Sequence, residues 1–80
     1  MAYHLNEIPK GQFGEFSKIR EEFLELEDAV SQNDPILTLV ELSDLLGAIE
    51  EYSKRWNISM NDLVSFSRKT QSAFKEGKRN

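Results

Sequence analysis

The chain has 80 residues, no cysteine and a formal net charge of -4. A chain of this length forms one small domain and buries only about 60% of the surface exposed in its unfolded form, so a monomer would be marginally stable. Because neither a disulfide nor a thiolate zinc site can supplement so small a core, we expect self-association or a metal ion bound by oxygen atoms. The acidic balance argues against nucleic-acid binding, which depends on Lys and Arg at the phosphates.

No segment of the sequence resembles a targeting or membrane-spanning element. The first residues lack a basic segment followed by an apolar one, and no apolar run approaches the roughly 18 residues needed to cross a bilayer. We therefore expect a cytoplasmic protein that contacts no membrane.

Residues 1–13 contain Pro9 and Gly11 and show little periodicity, so we predict an irregular arm. A helix should follow at about residues 15–31, because apolar side chains recur there at spacings of three and four residues. Such spacing is typical of a helix with one buried stripe. The stripe consists of Phe16, Ile19, Phe23, Leu26 and Val30.

A second helix is predicted at about residues 35–56. Asp34 is suited to the N-cap position and Pro35 to the first helical position, where a missing N–H costs nothing. Apolar residues again recur at spacings of three and four residues, as in the first helix. The short connection between the two helices favours their antiparallel packing. The second stripe consists of Leu42, Leu45, Ile49, Tyr52 and Trp56.

A third helix is predicted at about residues 60–76. Ser59 and Asp62 have the spacing of a capping box, and Gly77 is a suitable C-terminal stop. No alternation typical of a strand competes with the helical pattern. We therefore predict an all-α fold, in which residues 1–80 form one three-helix domain with helices one and two antiparallel. Such protomers should assemble into an oligomeric helical bundle.

Two carboxylates, Glu41 and Asp44, interrupt an apolar segment of the second helix that contains no basic residue. Their spacing of three places them one turn apart on the same side of the helix. A buried ionised carboxylate is costly unless it is paired, protonated or bound to a metal, so this pair needs a compensating group. A metal ion is one candidate, and an Arg or Lys from a neighbouring subunit is the other.

The first helix repeats this spacing in Glu22 and Glu25. Ala29 and Ala48 follow the second carboxylate of each pair by four residues. Packing of the two apolar stripes would therefore bring four carboxylates to a shared edge, with small residues beside them. Ligation by oxygen alone suits Mg²⁺ or Mn²⁺. For the glutamates of the first helix alone, a solvated helix surface is the alternative.

The two acidic motifs are Glu21-Glu22-Phe23-Leu24-Glu25 and, after 15 residues, Glu41-Leu42-Ser43-Asp44. Together they resemble the signature of the MazG-like nucleotide pyrophosphohydrolases, over about residues 14–56. The resemblance implies a helical dimer or tetramer that hydrolyses a nucleoside triphosphate to the monophosphate and pyrophosphate. It also implies Mg²⁺ as the cofactor, with Mn²⁺ as a substitute, and makes Glu21 an adjacent motif position. The implied metal ligands and catalytic residues are Glu22, Glu25, Glu41 and Asp44.

Phosphoryl transfer needs neutralised phosphate oxygens and an oriented water more than a side-chain nucleophile, so the carboxylates suit attack by metal-bound water. Lys69 and Lys75 are candidates for binding substrate phosphates, although they also suit a solvated helix end that complements the helix dipole. Tyr52 and Trp56 could stack on a nucleobase, but they continue the apolar stripe and so belong to packing first. His4 has no neighbour at a ligand spacing, and we predict no role for it.

A second class of function fits the same residues. In it the chain is a non-catalytic helical module that assembles through its apolar stripes, and its carboxylates form ion pairs between subunits. Magnesium binding separates the two hypotheses, because only the first requires it.

Overall fold

The computed structural model describes residues 4–77, which form three α-helices and contain no strand. The all-helical class predicted from the sequence is therefore confirmed. Residues 1–3 of the predicted arm lie outside the described range. Among residues 4–77, none of the helices combines the length and the apolar character required to cross a bilayer. The helices are α1 (Phe16–Ser31), α2 (Pro35–Ser53) and α3 (Met60–Lys75).

Beyond Ser53, the chain continues as a 3₁₀ turn at Lys54–Trp56 rather than as α-helix. The next residue, Asn57, has a left-handed backbone with a φ of 57°. A tightened last turn followed by a left-handed residue is a common way to end a helix and satisfy its terminal carbonyls. The apolar pattern alone predicts that the second helix ends near residue 56, because Tyr52 and Trp56 continue the four-residue spacing into the 3₁₀ turn.

Side-chain caps begin α2 and α3 at the residues predicted from the sequence. Asp34 accepts hydrogen bonds from the N–H groups of Ile36 and Leu37, each at 3.1 Å. Ser59 and Asp62 form both hydrogen bonds of a capping box before α3. Such caps are worth about 1 kcal/mol each, so local sequence signals are sufficient to fix where these two helices start.

The helices α1 and α2 make the main contact between helices in the described chain. Ala29 of α1 and Ala48 of α2 are 0% and 2% exposed, and they are the only buried hydrophobic residues among residues 4–77. Two alanines contribute little hydrophobic stabilisation, and the carboxylates buried beside them are costly unless they are compensated. The buried carboxylates are Glu21, Glu22, Asp28 and Glu41.

Large apolar side chains remain exposed on all three helices. On α1, Phe16, Phe23 and Val30 are 53%, 51% and 58% exposed, so the prediction of one buried stripe is wrong for the single chain. The helix α3 has no buried residue at all. A chain this short lacks the surface to cover three amphipathic helices. Further exposed apolar residues are Leu39, Leu42, Leu46, Val64, Phe66 and Phe74.

The arm that precedes α1 is fixed to that helix at two carboxylates. Asp28 accepts a hydrogen bond from the Leu5 N–H at 3.1 Å, and Glu21 accepts one from the Gly11 N–H at 2.8 Å. At position 11 the chain passes so close to the Ser17 carbonyl that a Cβ would overlap it, which explains the glycine. The arm therefore lies against α1 rather than extending from it.

Candidate metal centre

The predicted carboxylates of the two helices lie together in the structure. Glu22 of α1 and Glu41 and Asp44 of α2 each offer one oxygen, and these three atoms lie within 4.8 Å of one another. Glu25 lies within the same distance of Glu22 in one neighbouring group and of Glu41 in another. The four predicted ligands thus form one cluster of overlapping groups rather than a single set around one point.

Burial divides this carboxylate cluster into an inner and an outer part. Glu22 and Glu41 are each 4% exposed, whereas Asp44 is exposed. A cleft of about 490 Å³ opens beside Glu41 and Asp44. Its walls combine acidic residues of the cluster with apolar side chains that include Ile36 and Val40. A ligand in the cleft would therefore meet both carboxylate oxygens and an apolar surface.

Two buried oxygens of the cluster lack a partner. Within residues 4–77, neither Glu22 Oε1 nor Glu41 Oε1 has a hydrogen-bond donor. The other Glu22 oxygen lies 3.8 Å from Lys18 Nζ, which is a long ion pair. Buried polar atoms in folded proteins are nearly always satisfied, and an uncompensated carboxylate is costly. These two oxygens therefore point to a proton or a cation as the missing partner.

The electrostatics of the inner residues agree with this geometry. Burial raises the pKa of Glu22 to about 8, and the neighbouring Glu25 carboxylate adds to the effect although Lys18 opposes it. The pKa of Glu41 is also raised, first by burial and then by Glu25, against the hydrogen bond with His4. A raised carboxyl pKa shows that the ionised form is under-compensated. A divalent cation could supply the compensation, because metal ions and protons compete for the same oxygens.

Glu21 behaves differently from its neighbour Glu22. It accepts hydrogen bonds from the Gly11 N–H at 2.8 Å and from Lys18 Nζ at 3.1 Å, and Lys10 Nζ lies 3.6 Å away. Burial opposes its ionisation, but the Gly11 N–H and Lys18 hold the pKa of Glu21 below its usual range. Glu21 is therefore a compensated carboxylate that anchors the arm.

His4 contacts the cluster, although the sequence predicted no role for it. Its Nε2 lies 2.9 Å from Glu41 Oε2 and 3.8 Å from Glu25 Oε1. His4 and Glu41 are 37 positions apart, and the arm shows no regular spacing of apolar residues, so the sequence pattern could not relate the two. The sequence did contain one sign that the acidic side of α1 continues toward His4. Asp28, which lies against His4, follows Glu25 at the same three-residue spacing by which Glu25 follows Glu22.

Asp28 joins the arm to α1 beside His4. It accepts hydrogen bonds from Gln32 Nε2 at 2.7 Å and from the Leu5 and Asn6 N–H groups at 3.1 and 2.9 Å. The hydrogen bond from Gln32, followed by those from the arm, holds the pKa of Asp28 well below its usual range. The His4 Nδ1 atom lies 3.5 Å from Asp28 Oδ1. Asp28 therefore fixes the arm at the position that carries the imidazole.

The remaining predicted site residues do not line the cleft of this chain. Lys69 is exposed on α3 with its Nζ 5.5 Å from the centre of the Phe66 ring, and Lys75 is exposed at the end of the same helix. Tyr52 packs near the rings of Phe16 and Trp56, with centroid distances of 5.7 and 6.5 Å. The contact between Tyr52 and Phe16 connects α1 with α2, which fits the packing role.

Comparisons with protein-family models, with curated proteins and with solved structures find no match to this chain. Inferences about its function therefore depend on the chemistry of the carboxylate cluster. The cluster combines buried anionic oxygens, an open cleft and one imidazole, and such a set can bind a divalent cation next to a second ligand.

Proposed function

We propose that the chain is a Mg²⁺-dependent nucleotide pyrophosphohydrolase of the MazG-like kind, which cleaves a nucleoside triphosphate to the monophosphate and pyrophosphate. One observation carries the proposal. Carboxylates from two packed helices converge at a cleft, and two of their buried oxygens have no donor within residues 4–77. The resemblance of the two acidic motifs to that family supplies the reaction.

In this proposal Glu22, Glu25, Glu41 and Asp44 hold Mg²⁺, or Mn²⁺ in its place. The bound cation would neutralise phosphate oxygens and make water a better nucleophile. Asp44 lies on the exposed side of the cluster, where it can contact both the cation and a phosphate-bearing ligand. Ile36 and Val40 provide an apolar wall for the nucleobase.

The proposal includes an oligomer, either a dimer or a tetramer, in which α1 and α2 are antiparallel neighbours. Its support is the exposed apolar surface, since α3 has no buried residue and Phe66 is 69% exposed. Apolar surface of this extent usually marks an interface. Lys69 and Lys75 do not line the cleft of their own chain, so they would contact substrate phosphates from a second copy. We place this enzyme in the cytoplasm, away from membranes.

Hydrolysis is tested by incubating the protein with a panel of common and modified nucleoside triphosphates and Mg²⁺, followed by chromatography of the products. We expect a monophosphate and pyrophosphate from at least one nucleotide. Replacement of Asp44→Asn should lower turnover by about a hundredfold or more, because it removes a charge that acts directly on the cation. Glu50→Gln is the matched control, since Glu50 is an exposed acid on the same helix. Absence of turnover together with absence of Mg²⁺ binding in calorimetry would refute the proposal.

A second candidate is the non-catalytic oligomerisation module, and the small buried core favours it. Only Ala29 and Ala48 are buried hydrophobic residues in the described chain, so assembly would stabilise the fold whether or not it is an enzyme. In this case Asp44→Asn should change the oligomeric mass or the melting temperature. Mg²⁺ should leave the melting temperature unchanged, because a ligand stabilises a protein only by binding its folded state.

A further inference from the structure

We propose that His4, Glu25 and Glu41 form a mixed nitrogen and oxygen position for a first-row divalent transition-metal ion. This inference extends the proposed function, because Glu25 and Glu41 belong to the carboxylate cluster described above. It adds a second class of ion to those that the cluster would take, and it gives the N-terminal arm a direct part in the site.

The distances between the candidate donor atoms fit a common ion. His4 Nε2 lies 2.9 Å from Glu41 Oε2 and 3.8 Å from Glu25 Oε1. Nitrogen and oxygen ligands lie about 2.0–2.2 Å from such ions, so two ligands of one ion are separated by about 3–4 Å. Both distances fall near that range. The ion could therefore be bound with only small movements of the three side chains.

The imidazole is held in a manner that suits a metal ligand. Metal-ligating histidines usually direct their second ring nitrogen at a carboxylate or a carbonyl, which fixes the orientation of the ring. Here His4 Nδ1 faces Asp28 Oδ1 at 3.5 Å, an electrostatic contact in which Nδ1 forms no hydrogen bond within residues 4–77. Asp28 is itself fixed by Gln32 and by the Leu5 N–H. Nε2 is thereby directed at Glu41 and Glu25.

A second observation points to a cation at this position. Glu41 is 4% exposed, and among residues 4–77 its Oε1 has no hydrogen-bond donor even though its Oε2 contacts His4. One imidazole can donate only one hydrogen bond through Nε2, so it cannot also satisfy Glu41 Oε1. The pocket thus holds more acceptor oxygens than the donors of the described chain can serve.

The donor set decides which ions suit the position. Imidazole suits iron, nickel, copper and zinc, and it can also bind Mn²⁺, which otherwise favours carboxylates, whereas Mg²⁺ prefers oxygen ligands and retains several waters. The neighbouring group formed by Glu22, Glu41 and Asp44 contains oxygen ligands only. Removal of His4 should therefore weaken transition-metal binding and leave Mg²⁺ binding nearly unchanged.

The decisive measurement is electron spin-echo spectroscopy of the untagged, full-length chain loaded with Mn²⁺. The chain contains one histidine, so an imidazole signal has a single source. We expect nitrogen modulation of the manganese signal, and we expect its pattern to change when histidine is labelled with ¹⁵N. Calorimetry of His4→Ala should show at least about a tenfold loss of Mn²⁺ affinity. Even the loss of a residue that only hydrogen-bonds a metal ligand lowers metal affinity by about tenfold or more.

The matched control is Leu5→Ala, because Leu5 is 77% exposed on the same arm and offers no side-chain ligand. It should retain both the nitrogen modulation and the Mn²⁺ affinity. Mg²⁺ affinity should change by less than about threefold in either variant, because Mg²⁺ does not depend on the imidazole. If His4→Ala fails to fold, the isotope comparison on the wild-type chain still decides the question.

Each alternative result has a definite meaning. If Mn²⁺ binds without nitrogen modulation, His4 is only a hydrogen-bonding clamp for the arm, and this inference is overturned while the proposed function stands. If neither Mn²⁺ nor Mg²⁺ binds, both are overturned. If nitrogen modulation is present but no nucleotide is hydrolysed, the metal position stands without the proposed enzyme.

Discussion

Replacement of Glu22→Gln should stabilise the protein in the absence of divalent cations. Burial raises the pKa of Glu22 from 4.5 to about 8. A carboxyl group with a raised folded-state pKa contributes stability that is fully present below pH 4.5 and lost as the pH rises through about 8. Glutamine has nearly the same shape but never ionises. The variant should therefore avoid a penalty that increases with pH in the wild-type protein.

The pKa shift sets the size of the effect. At 1.36 kcal/mol per pKa unit, the penalty on the ionised wild type reaches at most about 4 kcal/mol near pH 8. We expect about half of that limit, because relaxation of the folded protein and entry of water reduce the cost of a buried charge. For a domain of this size, about 2 kcal/mol raises the melting temperature by roughly 10 °C. Below pH 4.5 the two proteins should melt at nearly the same temperature.

The assay is thermal unfolding followed by circular dichroism between about pH 4 and pH 9, with a chelator present. Glu27→Gln is the control, since Glu27 is an exposed glutamate on the same helix and its replacement changes the net charge equally. Addition of Mg²⁺ near pH 8 should stabilise the wild type by about 2.7 kcal/mol at a concentration of about 100 times Kd. It should have little effect on Glu22→Gln. A difference between wild type and variant that does not vary with pH would refute the reasoning.

Two further predictions concern the arm and the helix backbone. Asp28→Asn should lower the melting temperature near pH 7 by releasing the arm. The difference from wild type should shrink as the pH falls below 3.8, the ordinary pKa of the group, because a lowered carboxyl pKa contributes stability that is lost in acid. An unchanged melting temperature at neutral pH would show that the arm is not held by Asp28. Gly47→Ala should stabilise α2 by about 0.5–1 kcal/mol in urea unfolding, since a Cβ at position 47 meets nothing within 4 Å. Gly11→Ala should destabilise the chain, because the same added atom would overlap the Ser17 carbonyl, and equal effects of the two substitutions would contradict this.

Local signals in the sequence were sufficient for the starts of two helices. Asp34 and the pair formed by Ser59 and Asp62 act on backbone groups two or three residues away, so their effect does not depend on the rest of the fold. The three-residue spacing of Glu41 and Asp44 also predicted that they share a side of α2. Proximity to Glu22 additionally required α1 and α2 to pack, which the apolar spacing indicated.

Contacts between distant parts of the chain were not predictable in the same way. The contact of His4 with Glu41 joins an irregular arm to a helix, and no period relates the two residues. Burial of the apolar stripes was predicted from periodicity, but periodicity does not specify which surface covers a stripe. Phe23 and Val30 follow the helical spacing and still remain half exposed, because α2 covers the neighbouring carboxylate face of α1 instead.

The acidic face of α1 contains two kinds of buried carboxylate. Glu21 and Asp28 each accept several hydrogen bonds from protein groups, and the pKa of each is lowered. Glu22 has an oxygen without a donor in the described chain, and its pKa is raised. All three are 3–4% exposed, so solvent exposure alone does not separate them. The partners account for it, because Glu21 and Asp28 accept hydrogen bonds from the arm and from Lys18 and Gln32 of α1 and its C-cap, whereas Glu22 has the like-charged Glu25 as its neighbour.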